Sequence, residues 1–322
     1  MTGIKVVLGA GAFLTKDQWT ADKVKTYLDA LAAGGVKEID SAQAYGDSEL
    51  VLGDNGASEM FELSTKLPGI MDPGSYRRDE VVTRTQKSLE RLRVNQLDIL
   101  YLHSPDPSIP IEETLAGIQD LYLAGAFRRF GISNYTPDEV RKIHDYQRAK
   151  DWVLPTVYQG NYNPVARSYE QDLIPTLREL GIAFYAYSPA AGGFLAKSKQ
   201  QVLEGAGRFA KDGGLLSDVY NTLYNRPSLL DALPTWQGIA RDAGCSGYDL
   251  AIRWVTFNSV LKPDYGDAVI IGPGSVERSQ WTLAGVTKGP LADAIVQRID
   301  AIWDSVKHEA PKDNISELQG NK

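Results

Sequence analysis

Four side chains of different acid–base character end or follow successive apolar segments of the chain. Asp40 ends the second segment, Lys66 the third and His103 the fourth, and Tyr45 follows Asp40 by five residues. A free tyrosine has a pKa near about 10, and a lysine cation about 4 Å away favours the phenolate by roughly 4 kcal/mol at an effective dielectric constant of about 20. The combination predicts a tyrosine proton donor whose pKa is lowered by Lys66.

The same residue types predict the reaction class. Asp40 would keep Lys66 charged, and the neutral imidazole of His103 could hydrogen-bond a substrate oxygen. A tyrosine donor beside an oriented carbonyl can protonate the alkoxide as it forms, so carbonyl reduction is the natural reaction. Because no side chain carries a hydride, a hydride-carrying cofactor is implied. Singly, each residue has an ordinary structural explanation, and only the combination favours chemistry.

The elements that must position these residues are repeated βα units. Short apolar segments alternate with amphipathic ones along the whole chain, without a linker or a composition shift. The predicted strands are residues 5–8, 36–40, 60–66, 97–103, 128–132, 156–159, 182–187 and 268–271. Eight strands favour an α/β fold of the (β/α)8 TIM-barrel type over an open sheet, in one domain over residues 1–322 with an extra C-terminal helix. Barrel enzymes build their sites on the carboxyl rim, where these strand ends meet.

Other positions on the predicted rim suit a dinucleotide. Ser133 and Asn134 follow the fifth strand, Gln159 ends the sixth, and Tyr187 and Ser188 end the seventh. Hydroxyl and amide groups can hydrogen-bond a carboxamide, and a tyrosine face can stack on a nicotinamide ring.

A phosphate site is predicted after the eighth strand. Gly274 and Ser275 stand at the start of a helix, where backbone N–H groups favour anions, and Arg278 is available in the first turn for an additional phosphate. Spacing alone leaves Arg278 equally explicable as an ordinary surface arginine.

The connection after the seventh strand is unusually long. Residues 188–227 separate that strand from a helix predicted to start near Ser228, whereas such connections usually run about 2–6 residues. We expect a lid over the site, with a surface excursion as the alternative. Tyr220 and Tyr224, together with Tyr45, indicate an aromatic-lined substrate pocket, with ordinary surface tyrosines as the alternative.

Composition excludes several other functions. Lys plus Arg is 34 and Asp plus Glu is 41, which gives a net charge of −7 with dispersed signs, unsuited to nucleic acid or anionic membranes. One cysteine, Cys245, and three scattered histidines predict no disulfide framework and no metal site. No apolar stretch approaches the roughly 18 residues that span a bilayer, and no convincing signal sequence is found, so we expect a cytoplasmic enzyme.

These motifs are recognisable as a set. "EIDSAQAYGDSE" carries Asp40 and Tyr45, "LSTKLPG" carries Lys66 and "LDILYLHSPD" carries His103; "GISNY", "YQGNYNP" and "FYAYSPAAGGFL" follow in order. With them the chain resembles the aldo-keto reductase family over nearly its whole length, and "AYSPAAGGFL" and the C-terminal segment are most similar to the aflatoxin-aldehyde reductase branch.

The resemblance implies an NADPH-dependent reductase of aldehydes or ketones. Tyr45 would be the proton donor, Lys66 and Asp40 would lower its pKa, and His103 would orient the carbonyl. The implied cofactor residues are Ser133, Asn134 and Gln159 at the carboxamide, Tyr187 against the ring, and Gly274, Ser275 and Arg278 at the adenosine 2′-phosphate.

The chain also departs from the family pattern. Many members have Lys-Ser where this chain has Gly272-Pro273. Leu223 replaces an arginine often found in the branch, for which Arg226 could substitute as a substrate residue. Lys197 and Lys199 flank the position of an expected cofactor lysine, and the choice between them stays open.

Three alternatives compete with this interpretation. Gly9, Gly11 and Asp40 imitate a Rossmann fingerprint, but Leu14 occupies the third glycine position. Ser133, Tyr146 and Lys150 reproduce the spacing of short-chain dehydrogenases, without the other motifs of that family. The third alternative is an NADP(H)-binding regulatory or sensor subunit, as in potassium-channel β subunits. The expected partner is a small-molecule carbonyl compound, and a homodimer is compatible with the chain.

Overall fold

Eight parallel strands close into a barrel in the computed structural model, which describes residues 3–13, 19–272 and 274–313. Each strand pairs with its neighbours along the chain, and β8 pairs with β1 from Lys5↔Ala268 to Leu8↔Ile271. The strands are β1 Lys5–Gly9, β2 Glu38–Asp40, β3 Glu62–Leu67, β4 Leu97–Leu102, β5 Phe127–Ser133, β6 Pro155–Asn161, β7 Ala183–Tyr187 and β8 Ala268–Ile271. The predicted (β/α)8 barrel is confirmed, with every strand within two residues of its predicted bounds.

Helices follow every strand and form the outer layer. They are α1 Ala21–Ala33, α2 Ser48–Asp54, α3 Arg78–Leu92, α4 Ile111–Leu123, α5 Pro137–Ala149, α6 Leu173–Glu179, α7 Lys199–Leu203, α8 Leu215–Tyr224, α9 Pro227–Asp242, α10 Gly247–Arg253, α11 Val276–Thr287 and α12 Asp293–Val306. Capping residues in the sequence mark the beginning of several of these helices. Thr136 and Glu139 form a capping box in front of α5, with Pro137 at its first position.

Side chains alternate between the barrel interior and the helical layer, because strand residues point to opposite faces in turn. On β4, Ile99 and Tyr101 pack inside the barrel with Tyr185, whereas Leu100 and Leu102 pack outward in the larger core. The inward column of β2 contains two carboxylates, Glu38 and Asp40, whose lysine partners come from the neighbouring strands β1 and β3.

The segment of residues 188–227 contains more regular structure than a loop. Short 3-10 helices at Ala191–Ala196 and Gly207–Phe209 alternate with α7 and α8. Gly192 has a φ of 64°, and a Cβ there would lie 2.1 Å from the Tyr220 ring, so only glycine allows this approach. The segment is therefore a packed excursion on the barrel, and its action as a lid stays a prediction.

The C-terminal part packs on the helix that follows this excursion. The predicted extra helix is α12, which packs against α9.

Among the described helices, none is both long and apolar enough to cross a bilayer. Two positions raised by the sequence, Leu14 and Pro273, lie outside the described residues.

Candidate active site

A buried ion pair forms the floor of the site. Lys66 Nζ, on β3, lies 2.5 Å from Asp40 Oδ2 on β2 and donates a second hydrogen bond of 2.7 Å to the carbonyl oxygen of Ser41. Gln159 Nε2 donates to the other Asp40 oxygen at 2.9 Å. Burial raises the pKa of the Asp40 carboxyl, and the contacts with Lys66 and Gln159 oppose that shift. Buried charges persist only with such additional hydrogen bonds.

Tyr45 and His103 complete what we name the rim cluster, together with Asp40 and Lys66. The rings of Tyr45 and His103 meet edge to face, with 5.9 Å between centroids and an interplanar angle of 83°. Lys66 Nζ lies 5.0 Å from the centroid of the Tyr45 ring. The structure thus brings together the four residues that the sequence singled out.

The predicted direction of the Tyr45 pKa shift is wrong. Burial raises the pKa of the phenol, Lys66 lowers it only in part, and Asp40 raises it further. Lys66 lowers the pKa of the phenol as expected, but desolvation opposes this effect and outweighs it, because the depth of burial depends on the fold. Tyr45 therefore keeps its proton at neutral pH, as a proton donor must.

His103 is neutral in this environment. Burial, and then the charge of Lys66, lower the pKa of the imidazole from 6.5 to about 3. Its Nδ1 is buried without a hydrogen-bond partner among the described residues. A neutral imidazole with an unmet nitrogen is the type of group that a ligand can satisfy.

The predicted carboxamide positions border this cluster. Asn134, with a φ of 62°, donates from Nδ2 to the carbonyl oxygen of His103 at 2.8 Å and accepts a hydrogen bond from the Tyr187 hydroxyl at 3.1 Å. Ser133 is buried beside it, and Gln159 Nε2 is engaged with Asp40. Gln159 therefore also supports the rim cluster.

The three predicted substrate residues of the excursion lie in different surroundings. The Tyr220 hydroxyl contacts Ser188 Oγ at 3.1 Å and interacts electrostatically with Tyr45. Tyr224 is fully buried behind the Tyr220 ring, and its hydroxyl donates to Asn161 Oδ1 at 3.1 Å. Both tyrosines therefore contact residues at the ends of strands, and Tyr220 is the one that interacts with a member of the rim cluster, Tyr45.

Arg226 is the clearest departure from expectation. Its guanidinium donates to the carbonyl oxygens of Thr222 at 3.0 Å and Glu309 at 2.6 Å. These contacts fasten the end of α8 to the chain after α12, so the prediction that Arg226 binds substrate receives no support from its contacts.

Three cations gather between the excursion and the start of α11. The pKa of Lys197 is lowered by burial and then by the charges of Arg208 and Arg278. Lys199 instead forms an ion pair of 2.6 Å with Asp231. Of the two candidate lysines, Lys197 is therefore the one near Arg278.

The helix start offers further anion donors. Ser275 caps α11 by accepting the backbone N–H of Arg278 at 3.3 Å, and Gly274 is exposed. Sequence reasoning missed Arg208, which donates to the Tyr220 hydroxyl at 2.9 Å. The only signal was an arginine within a glycine-rich segment.

A second charged group lies at the amino-terminal end of the barrel interior. This base cluster consists of Lys5, Glu38, Asp98, Arg129 and Tyr185. The carboxylates of Glu38, Asp98 and the nearby Glu62 approach within 4.8 Å of one another. Each is paired with a lysine or arginine, so the arrangement is an ion-pair network.

The short-chain dehydrogenase alternative is not supported by the geometry. Tyr146 lies on α5 in the outer layer, where its ring packs against Trp152, and Lys150 Nζ lies 5.2 Å from its centroid. Both residues belong to the helical ring and not to the strand ends that carry Asp40, Lys66 and Ser133.

Comparison with known proteins agrees with this geometry. The sequence profile described as the aldo/keto reductase family matches residues 5–304. Oxidoreductase sirO of Leptosphaeria maculans is 39% identical over 296 residues, 91% of this chain and 89% of that protein. Aflatoxin B1 aldehyde reductase member 2 of Homo sapiens is 36% identical over 307 residues, 91% of this chain and 84% of that protein. The predicted resemblance is confirmed, and the chain belongs to the aldo/keto reductase family of oxidoreductases.

Proposed function

We propose that this protein reduces an aldehyde or ketone to an alcohol with NADPH, and that Tyr45 is the proton donor. The observation that carries the proposal is the rim cluster, in which a fully buried Lys66 lies between Asp40 and the ring of Tyr45, with His103 edge-on to that ring. The aldehyde reductases among the relatives of this chain support the same reaction.

Each residue of the cluster has a distinct task. Tyr45 is protonated at neutral pH, since an ordinary phenol has a pKa near about 10 and burial raises the pKa of Tyr45 further, so it can deliver a proton to the substrate oxygen. His103, neutral at the same pH, donates a hydrogen bond that orients the carbonyl. The Lys66 ammonium stabilises the phenolate left on Tyr45, and Asp40 holds that ammonium in place. The nicotinamide, when bound, supplies the hydride.

The chain's own residues fit a dinucleotide. Ser133, Asn134 and Gln159 would hold the carboxamide and Tyr187 would stack on the ring, with Ser188 next to it. The cations Lys197, Arg208 and Arg278 form no ion pair with a carboxylate in the part of the chain that the structure describes, and with Gly274 and Ser275 they would take the phosphates. Three unneutralised cations support NADPH over NADH.

The substrate would enter between the rim and the excursion, where Tyr45, His103 and Tyr220 are the contacts that the geometry supports. Tyr220 supplies an aromatic wall next to Ser188. A small carbonyl compound is therefore the proposed substrate class. A cytoplasmic location, a single domain over residues 1–322 and a homodimer stay predictions.

A cofactor-oxidation screen tests the proposal. Aryl aldehydes, dicarbonyls and succinic semialdehyde would be offered with NADPH and with NADH, and we expect NADPH oxidation with at least one aldehyde. Tyr45→Phe should lower kcat by about 100-fold or more, and Tyr146→Phe should leave it unchanged. Loss of activity only in Tyr146→Phe would contradict the assignment. Tight NADPH binding without turnover on any carbonyl would favour the regulatory-subunit alternative.

A further inference from the structure

The outer face of the site holds a buried carboxylate that this mechanism does not use. Glu49 lies in the first turn of α2, four residues after Tyr45, and its side chain is 2% exposed. Its Oε1 accepts a hydrogen bond of 2.6 Å from Thr65 Oγ1, and its Oε2 lies 3.1 Å from Arg91 Nε. The contact with Arg91 is an ion pair without hydrogen-bond geometry, and the hydrogen bond from Thr65 is the directional contact that orients the Glu49 carboxylate.

Both partners of Glu49 are next to the rim cluster. Thr65 precedes Lys66 on β3, and because strand side chains alternate, it points outward to α2 while Lys66 points into the barrel. Arg91, on α3, also donates from Nη2 to the carbonyl oxygen of Gly46 at 2.8 Å. Gly46 follows Tyr45 and has a φ of 54°.

The adjacent residue, Ser48, holds the other side of the same turn. Its hydroxyl contacts Ser41 Oγ at 2.8 Å and donates to the carbonyl oxygen of Ala10 at 3.1 Å. Ser41 is also the residue whose carbonyl oxygen accepts the second hydrogen bond of Lys66. The first turn of α2 therefore contacts Ser41 and Ala10 through Ser48, and Thr65 and Arg91 through Glu49.

We propose that Glu49 is a positioning residue, which sets the separation between the Tyr45 hydroxyl and the Lys66 ammonium. One carboxylate fixes the strand that carries Lys66, through Thr65, and the turn that carries Tyr45, through Arg91. The inference rests on the proposed roles of Tyr45 and Lys66. Proton transfer is sensitive to such geometry, since a displacement of about 1 Å can cost about 100-fold in rate.

The variant Glu49→Gln tests this role, because it keeps the shape and an acceptor for Thr65 but removes the charge that holds Arg91. We expect kcat to fall at least about tenfold, with KM for NADPH within about twofold, and the alkaline limb of the kcat profile to move. Glu49→Asp should recover part of the loss. The matched control is Asp54→Asn. It breaks the ion pair between Asp54, at the end of α2, and Arg93, which follows α3. This pair lies away from Tyr45, so kcat should be unchanged.

A measurement independent of turnover separates this inference from the proposed function. Tyrosine labelled with 13C at Cζ reports the surroundings and ionisation of each phenol by NMR, and Tyr45→Phe assigns the Tyr45 resonance. We expect Glu49→Gln, but not Asp54→Asn, to shift that resonance and its titration.

The possible outcomes are distinct. An unchanged Tyr45 resonance together with an unchanged kcat profile in Glu49→Gln would overturn the inference. An inactive wild-type protein would refute the reductase proposal, and the NMR result would still decide about Glu49. If Glu49→Gln does not fold, Thr65→Val keeps the charge pair with Arg91, and a smaller shift in the same direction is expected from it.

Discussion

Glu38 and Asp40 stand two residues apart on β2, and each meets a lysine beside a tyrosine ring. Lys5 Nζ lies 2.6 Å from Glu38 and 4.8 Å from the centroid of the Tyr185 ring, and Lys66 Nζ lies 2.5 Å from Asp40 and 5.0 Å from that of Tyr45. The base cluster and the rim cluster therefore contain the same kinds of residues in a similar arrangement.

The two clusters differ in what their members leave unpaired. In the base cluster, the Tyr185 hydroxyl donates to Glu38 at 2.9 Å and accepts from Arg129 Nη1 at 3.1 Å, and Arg129 also pairs with Asp98. In the rim cluster, the Nδ1 of His103 has no partner among the described residues. A charged pair and a tyrosine alone do not make an active site. A buried nitrogen without a hydrogen-bond partner, next to the carboxyl rim, distinguishes the rim cluster among the described residues.

The largest expected difference between the clusters is in turnover. Lys66→Met should lower kcat by about 100-fold or more, because the phenolate formed on Tyr45 loses its cation, while the NADPH dissociation constant stays within a few fold. Lys5→Met is the matched change at the base, where the Lys5 side chain is 39% exposed and pairs with Glu38, and kcat should stay within about twofold. An unchanged kcat in Lys66→Met, with NADPH binding intact, would refute the catalytic assignment.

The comparison also shows how far the sequence alone could lead. The strand ends were predictable because apolar segments alternate with amphipathic ones, a pattern typical of the βα units of a barrel. The barrel then brings Asp40, Lys66 and His103 to one rim. Nothing in the sequence distinguished Glu38 from Asp40 by environment. The direction of the Tyr45 pKa shift was wrong for the same reason, because burial is a property of the assembled fold.

The excursion of residues 188–227 was the least predictable part. Its glycines indicated a loop, but Ser198 and Gln201 form a capping box that starts α7, a signal that could have been read. Arg208 and Arg226 could not be told apart by type or spacing. Arg208 contacts Tyr220 near the rim, whereas Arg226 contacts the backbone oxygens of Thr222 and Glu309. The packing of α8 determines which of the two arginines lies near the rim.

A smaller effect is expected where the unpaired cations meet the cofactor. Arg208→Ala and Arg278→Ala should each raise the NADPH dissociation constant about tenfold and that of NADH by less, since a charged contact to phosphate contributes about 1–3 kcal/mol. Arg129→Ala removes an arginine already paired with Asp98, and cofactor affinity should not change. Fluorescence titration of each variant measures the constants. Equal losses for NADPH and NADH would show that these cations do not select the 2′-phosphate.

The smallest predicted effect concerns stability against pH, and it arises from the rim because the base cluster contains no histidine. The folded His103 has a pKa of about 3 against 6.5 for the unfolded imidazole, so below pH 6.5 the unfolded chain binds a proton that the folded protein does not. The contribution of His103 to the free energy of unfolding is therefore fully present above that pH. It is lost as the pH is lowered, by about 1 kcal/mol between about pH 7 and pH 5.5. Urea unfolding of the protein without cofactor at both pH values should show this loss, and His103→Gln should reduce it by the same amount. The remaining histidines, His144 and His308, are present in both proteins and cancel in the difference. An identical pH dependence in wild type and variant would mean that His103 is not held neutral by its burial, and the distinction between the clusters would then lie only in their access to ligand.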